Sequence, residues 1–435
     1  MTDEQRVLDA IAERSDELVD HLASLIAFDT TSRATVEEPP RDERSLQEYL
    51  AGRLEQRGAA IDLWEPRPEE VAGHPLAPPG IGFAGRPQLA ATFAGAGGGR
   101  SLMLNGHIDT VSVEPRSAWT SDPHTAAVRD GLLYGRGASD MKSGIACMTL
   151  AAEVLADLGI RLSGDLVVCT NTDEESSGAG GLACVRHGVH ADAGVVTEPT
   201  GFDVWNCCRG TSYATIRVPG RPGHAELSHP GWREGGPVNA IEKALPVLAA
   251  LQDLRARWHD DPALRHPHLG PPDVVPTMMR AGEWWVTYPA EARIVVSACY
   301  LPAQSGEDGW GGPVERQVEE FVRDAVATDD WLAEHPPAFE WGTPVHAMQI
   351  DADHPLLAIA LDATAAAGRP GGVSGLDSWY DGATFTAWAD TPSFAFGPRD
   401  IAVAHTIDEY TPVEDLVPCA QALALMALRW CGVPG

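Results

Sequence analysis

The chain has 435 residues and carries 31 Lys+Arg against 62 Asp+Glu, a formal net charge of −31. With 44% hydrophobic and 21% charged residues it has the apolar side chains for a large core and is not disordered by composition; its length corresponds to about two or three domains. The acidic balance disfavours nucleic acid and an acidic membrane surface, both of which are held by Lys and Arg, and no uninterrupted apolar run approaches the ~18 residues of a membrane helix.

The opening stretch MTDEQRVLDAIAERSDELVDHLASLIAF is charged and amphipathic, unlike a secretory signal, so a cytoplasmic protein is expected. Within it Val7, Ile11, Leu18, Leu22 and Leu25 predict one helix that stops before Asp29-Thr30-Thr31-Ser32. A second helix is predicted around 45–57, and the Pro- and Gly-rich residues 66–100 read as a long loop. Strands at 101–108, 165–171 and 193–197 then alternate with helices at 143–157 and 178–187, which implies an α/β sheet covered on both faces.

The pattern changes near residue 208. TSYATIRVPG alternates as a half-exposed strand, 237–257 is an amphipathic helix, WWVTYP and EARIVVSACYL read as antiparallel strands, and a helix follows at 313–327. Residues 208–343 are therefore expected to form an α+β insertion of strand-helix-strand-strand-helix-strand type. It interrupts one α/β domain built from 1–207 and 344–435. The eight cysteines show no CxxC spacing and are expected as reduced, buried thiols; Cys207 and Cys208, adjacent on a strand, point to opposite faces.

Residues that bear chemistry gather at strand ends. In SLMLNGHIDTV, His107 and Asp109 lie two apart at the end of an apolar strand, where a carboxylate can fix the tautomer of a metal-bound imidazole. A hydrogen-bonded strand-end histidine is the plainer alternative. In GRGASDMKSG, Asp140 sits in a Gly-rich turn before a helix, either as a cap or as a carboxylate bridging two cations. The next strand delivers Asp173-Glu174-Glu175, three acids that repel unless cations or solvent compensate. AGVVTEPT presents Glu198 and FGPRDIAVAHTIDEYTP presents His405 in the same way. Two histidines and three carboxylates suit two divalent cations of the zinc or cobalt type. Glu174 is then a spare acid placed to take a proton from water.

The motifs GHIDTV, YGRGASDMKSG, TDEESSG, VTEPT, PGHAELSHPGWREGGPVNAIEKA and FGPRDIAVAHTIDEYTPVEDL run in order from about 101 to 418. Through them the chain resembles the acetylornithine deacetylase, succinyl-diaminopimelate desuccinylase, aminoacylase and glutamate carboxypeptidase family of co-catalytic zinc amidohydrolases. The resemblance implies a mixed-sheet, zinc-peptidase-like catalytic domain with an inserted ferredoxin-like dimerisation domain. It implies two divalent ions per chain, zinc first and cobalt or manganese as alternatives. His107 and Glu198 would bind one ion, Glu175 and His405 the other, and Asp140 would bridge them. Asp109 would support His107, and Glu174 would be the general base. His224 of RPGHAE resembles the histidine offered across a homodimer to stabilise the oxyanion; Asn239 and Arg399 are candidate substrate contacts.

Three departures concern the substrate. The family's Asn-x-x-Pro turn is Val286-Thr287-Tyr288-Pro289 here, Cys299 stands near where a strand Arg is expected, and Gly-Pro-Gly is Gly397-Pro398-Arg399. Either Arg399 supplies the missing cation, or the substrate has no α-carboxylate. Trp284, Trp285, Trp379 and Tyr380 either line an aromatic pocket or pack in cores and interfaces. The expected activity is hydrolysis of a small N-acylated amino acid or amine. A metallo-dipeptidase or carboxypeptidase, and a non-catalytic binding homologue, are the alternatives.

Overall fold

The computed structural model describes residues 1–33, 35, 38–342 and 344–434. The chain divides into two compact units: Met1–Asn206 with Gln349–Gly375 and Tyr380–Gly435, and Cys207–Met348 with Leu376–Trp379.

The first unit is built on a mixed sheet, nine-stranded among the described residues. Its spatial order is Ala60–Trp64, Gln88–Phe93, Leu166–Asn171, Leu102–His107, Ala193–Val196, Ser393–Ala395, Val204–Cys208 and Met348–Gln349, with Val373–Leu376 also paired to Val204–Cys208. The four strands from Leu166–Asn171 to Ser393–Ala395 run parallel. Their residues are all buried, as expected for parallel strands covered on both faces. Because they are parallel, their carboxyl ends lie along one edge of the sheet, where α/β ligand sites form.

The helix Lys142–Asp157 lies almost wholly in the interior. It approaches the sheet so closely that a Cβ on Gly144 would fall 2.0 Å from the Thr197 carbonyl oxygen. The ammonium of Lys142 is buried and donates to the carbonyls of Leu25 and Phe28, both at 2.9 Å, which ties the N-terminal segment to this helix.

Two expectations for this unit are corrected. The N-terminal helix is two helices, Asp3–Glu13 and Ser15–Ala27, broken at Arg14. Apolar periodicity continues across the break and so does not reveal it. The guanidinium of Arg14 reaches Glu17, Glu153 and Asp157 there. The loop expected at 66–100 contains the short helix Pro68–Val71 and the strand Gln88–Phe93, which pairs antiparallel with Ala60–Trp64 and with Leu166–Asn171. Only Gln88–Ala91 are buried in that strand, too short a run to stand out among prolines and glycines.

In the second unit the elements follow as strand Gly210–Pro219, helix Ala240–Asp260, strands Asp273–Ala281 and Glu291–Tyr300, helix Gly312–Val326 and strand Ala338–Trp341. Their antiparallel sheet has the order Asp273–Ala281, Glu291–Tyr300, Gly210–Pro219, Ala338–Trp341. Ala292, Ile294, Val296 and Ala298 alternate onto the buried face. There they join Val247, Leu251 and Leu254 of one helix and Val314, Val318 and Val322 of the other in a single core. WWVTYP is a turn and not a strand; Trp284 is 70% and Trp285 97% exposed. The strand pairing with Glu291–Tyr300 is instead Asp273–Ala281, whose pattern is disturbed by a register shift after Pro276. Leu376–Trp379 joins this unit through Asp377: its carbonyl accepts from Arg209 Nε and Nη2 at 3.1 and 2.8 Å, and its carboxylate from the Gly270 amide at 2.8 Å.

No helix among the described residues is long and apolar enough to cross a membrane. The cysteines are free thiols, buried except for the half-buried Cys299.

Candidate metal centre

The centre lies in the first unit, at the carboxyl edge of the parallel strands. His107 closes the strand Leu102–His107 and is 2% exposed. Its Nδ1 lies 2.9 Å from the main-chain carbonyl of Asp109, so Nδ1–H donates there and the Nε2 lone pair faces inward. Nε2 is 3.1 Å from Asp140 Oδ1 and 3.9 Å from Glu198 Oε1. The other oxygen of Asp140, Oδ2, lies 3.5 Å from His405 Nε2, which is 3.1 Å from Glu175 Oε2. Two groups with metal-ligand spacing result, His107–Asp140–Glu198 and Asp140–Glu175–His405, with Asp140 common to both.

Glu174 belongs to neither group. Its Oε2 stands 4.0 Å from His107 Nε2. Asp109 holds this acidic turn, its two oxygens accepting from the backbone N–H groups of Glu174 and Glu175 at 3.2 and 3.1 Å and from the Ser32 hydroxyl at 2.8 Å. The Asp109 carboxylate is 3.7 Å from the His107 ring, farther than its own carbonyl. Asp173, the first of the three acids, turns away and pairs with the buried guanidinium of Arg86 at 3.0 Å.

Three of the acids in this space are shifted toward their protonated forms, while Asp140, against burial, is lowered by the hydrogen bonds of His107 and His405. Burial, then the charges of Glu198, Asp381 and Glu175, push Glu174 well above the usual carboxylate range, against the pull of His107. Burial and then Asp140 raise Glu198 in the same way and bring Glu175 to about 7. Hydrogen bonds to Asp140 and Glu175 lift His405 to about 10. Oε1 of Glu175 and Oε1 of Glu198 are buried without a hydrogen-bond partner. Unmatched lone pairs, imidazole nitrogens and like-charged carboxylates are the donor set that divalent zinc, cobalt or manganese takes.

A family model described as peptidase family M20/M25/M40 matches residues 103–429. The chain belongs to this family. The M20 chain, with its paired ligand groups, is a metal-dependent amidohydrolase or peptidase with a binuclear divalent-metal site. It is 26% identical over 444 residues to N-formyl-4-amino-5-aminomethyl-2-methylpyrimidine deformylase of Bacillus subtilis, across 97% of this chain and 96% of that one. It is 30% identical over 422 residues to acetylornithine deacetylase of Myxococcus xanthus, across 94% and 97%. Its fold is similar to that of human carnosine dipeptidase 1, with a TM-score of 0.71 at 15% identity over 99% of both chains.

The remaining candidates of the M20 chain lie elsewhere. His224 is an exposed residue of the second unit, paired by a backbone bridge to Thr287 and accepting at its carbonyl from His229 Nε2 at 2.6 Å. Asn239 caps the helix Ala240–Asp260, its Oδ1 accepting from the Ile241 amide at 3.1 Å. Arg399 donates to the Tyr410 hydroxyl at 2.8 Å and lies over that ring. Tyr380 is core, its hydroxyl donating to the Trp205 carbonyl at 3.0 Å, while Trp379 is half-buried in the second unit.

Sequence reasoning passed over Glu409 and Asp381. Asp381 is buried and accepts from Asn171 Nδ2, and burial followed by neighbouring acids raises it to about 7. The buried carboxylate of Glu409 accepts from the N–H groups of Gly137, Ser139 and Asp140 and from Arg136. Its only sequence signal is an acid four residues after His405, between turn residues that read as solvated.

Proposed function

We propose that the protein hydrolyses the amide bond of a small N-acylated amine that lacks an α-carboxylate, with Glu174 as general base and acid. The observation that carries this is the position of Glu174. It is a largely buried carboxylate 4.0 Å from His107 of one ligand group and next in sequence to Glu175 of the other, yet part of neither, with its backbone N–H held by Asp109. A binding protein has no need of such a residue.

In this reading His107 and Glu198 hold one ion, Glu175 and His405 the other, and Asp140 both. Cations held there would polarise the amide carbonyl and acidify water. Glu174 takes the proton of the attacking water and returns it to the departing amine nitrogen. The second unit, with strand order 2-3-1-4 along its βαββαβ chain, is read as a ferredoxin-like dimerisation domain inserted between catalytic halves. From it His224 is offered across a homodimer to the oxyanion.

Two residues support a substrate without a carboxylate: Val286 has no polar group for one, and Cys299 contributes only a thiol. The relatives that match almost end to end include a deformylase of an aminomethylpyrimidine. The exposed Trp284 and Trp285 are suited to stack on such a ring.

The test is metal content of the purified protein, followed by a panel of N-formyl, N-acetyl and N-succinyl amines and amino acids beside dipeptides, with and without zinc or cobalt. Two metals per chain and metal-dependent release of a short acid from uncharged N-acyl amines are expected. Glu174→Gln is expected to keep both metals and lose about 10²–10⁴-fold in kcat. Near-normal turnover in that variant removes the mechanism, and cleavage confined to dipeptides replaces the substrate assignment.

A further inference from the structure

His405 is the least supported member of the centre. It is half-exposed, has a backbone φ of 61°, and lies in a stretch whose only regular structure is one short turn, Ile401–Val403. Its imidazole is nevertheless aimed at Asp140 and Glu175. The restraint lies just beyond it. Glu409 is fully buried, and each of its oxygens is used twice. Oε1 accepts from the amides of Ser139 and Asp140 at 2.8 and 2.9 Å. Oε2 accepts from the amide of Gly137 at 3.2 Å and from Arg136 Nη1 at 2.7 Å. Arg136, itself 2% exposed, also donates to the carbonyl of Thr406, the residue after His405, at 3.2 Å, and to that of Ser112 at 2.9 Å.

We infer that the buried Arg136–Glu409 pair is a positioning device for one of the two metals, fixing His405 against Asp140 by clamping both segments at once. One residue of the pair grips the peptide groups of the Asp140 turn, and the other grips the carbonyl beside His405. The metal held by Asp140, Glu175 and His405 depends on this clamp. The one held by His107, Asp140 and Glu198 has its histidine anchored independently, through the Asp109 carbonyl. The geometry also explains why a glutamate is required. Charge-assisted bonds to four donors need two acceptor oxygens. A glutamine at 409 would turn its NH2 toward the amide of Gly137 and the guanidinium of Arg136, or toward the amides of Ser139 and Asp140.

This inference rests on the binuclear centre and is independent of the substrate assignment. The experiment is a zinc titration of full-length Glu409→Gln against a competing chelator, with far-UV circular dichroism and thermal unfolding at saturating zinc as controls for folding. The zinc held with His405 is expected to bind about 10–100-fold more weakly and the other, which shares Asp140, to weaken much less, so that stoichiometry falls from two toward one at low free zinc. Glu409→Asp, which keeps the charge on a shorter arm, is expected to lie between the two; it serves as the test if the glutamine variant does not fold. Unchanged affinity at both sites, or equal weakening of both, overturns the clamp. A chain that never binds two metals overturns the centre itself, and a substrate panel that fails leaves the zinc counts untouched.

Discussion

Asp109 shows how a two-residue spacing can mislead about which atom acts. The sequence places its carboxylate beside His107 on the logic of a strand, but the strand ends at His107, and beyond it alternation no longer holds. The carbonyl of Asp109 takes the imidazole, and the carboxylate is left free to hold the amides of Glu174 and Glu175. Asp109→Ala is therefore expected to disturb the acidic turn more than His107. A loss of about 10–100-fold in kcat/KM is expected, with zinc retained at the His107 side; metal analysis alongside kinetics checks it. Loss of all bound metal would instead give the carboxylate the role of supporting His107. His107 closes an apolar strand, Glu175 and Glu198 follow two others within a few residues, and Asp140 and His405 stand in the turns nearby, so each was legible from the motif that surrounds it. Glu409 was not, because nothing local distinguishes an acid that accepts backbone amides from one that faces water.

At the level of elements, the three parallel strands that lead into site residues and the helices between them were readable, since each is an apolar run bounded by turn residues. Other features escaped: Gln88–Phe93 is set among proline- and glycine-rich residues, Asp273–Ala281 carries a proline and a register shift, and the break at Arg14 leaves the apolar periodicity intact. That break has a use. Arg14 joins Arg53 around the fully buried carboxylate of Glu153, at 2.9 and 2.8 Å, tying the N-terminal helices and the helix Glu43–Glu55 to the helix that follows Asp140. Arg14 and Arg53 both keep Glu17 when Glu153 is removed and lose only the buried partner, so Glu153→Ala is expected to cost about 1–3 kcal/mol. Urea unfolding of the metal-loaded protein measures this, and a change below about 1 kcal/mol would mean that the arginines find water instead.

For the molecule as a whole, the centre couples stability to pH and metal. Glu174 and Glu198 lie well above 4.5, Glu175 near 7, and His405 near 10, against 6.5 for a free imidazole. Each binds protons more tightly in the folded chain than in the unfolded one. The stability they provide to metal-free protein is present in full below the unfolded values and is lost as pH rises through the folded ones. In chelator, the melting temperature is thus expected to fall between about pH 6 and pH 9. Saturating zinc is expected to raise it throughout and to reverse that slope, because cations bind the deprotonated ligands. Parallel curves with and without zinc would show that the acids do not bind the metal.

Leu376–Trp379, four residues of the C-terminal portion, belong with the second unit and meet Arg209 and Gly270 through Asp377. The intervening unit is therefore not a cassette delimited by two cuts. A gene lacking codons 207–348 would still encode Asp377, now without the arginine and glycine that it binds. Two nicks by a protease would likewise fail to separate the second unit as a complete piece. Any miniaturised enzyme made from this scaffold would have to excise or redesign that distant tetrapeptide as well.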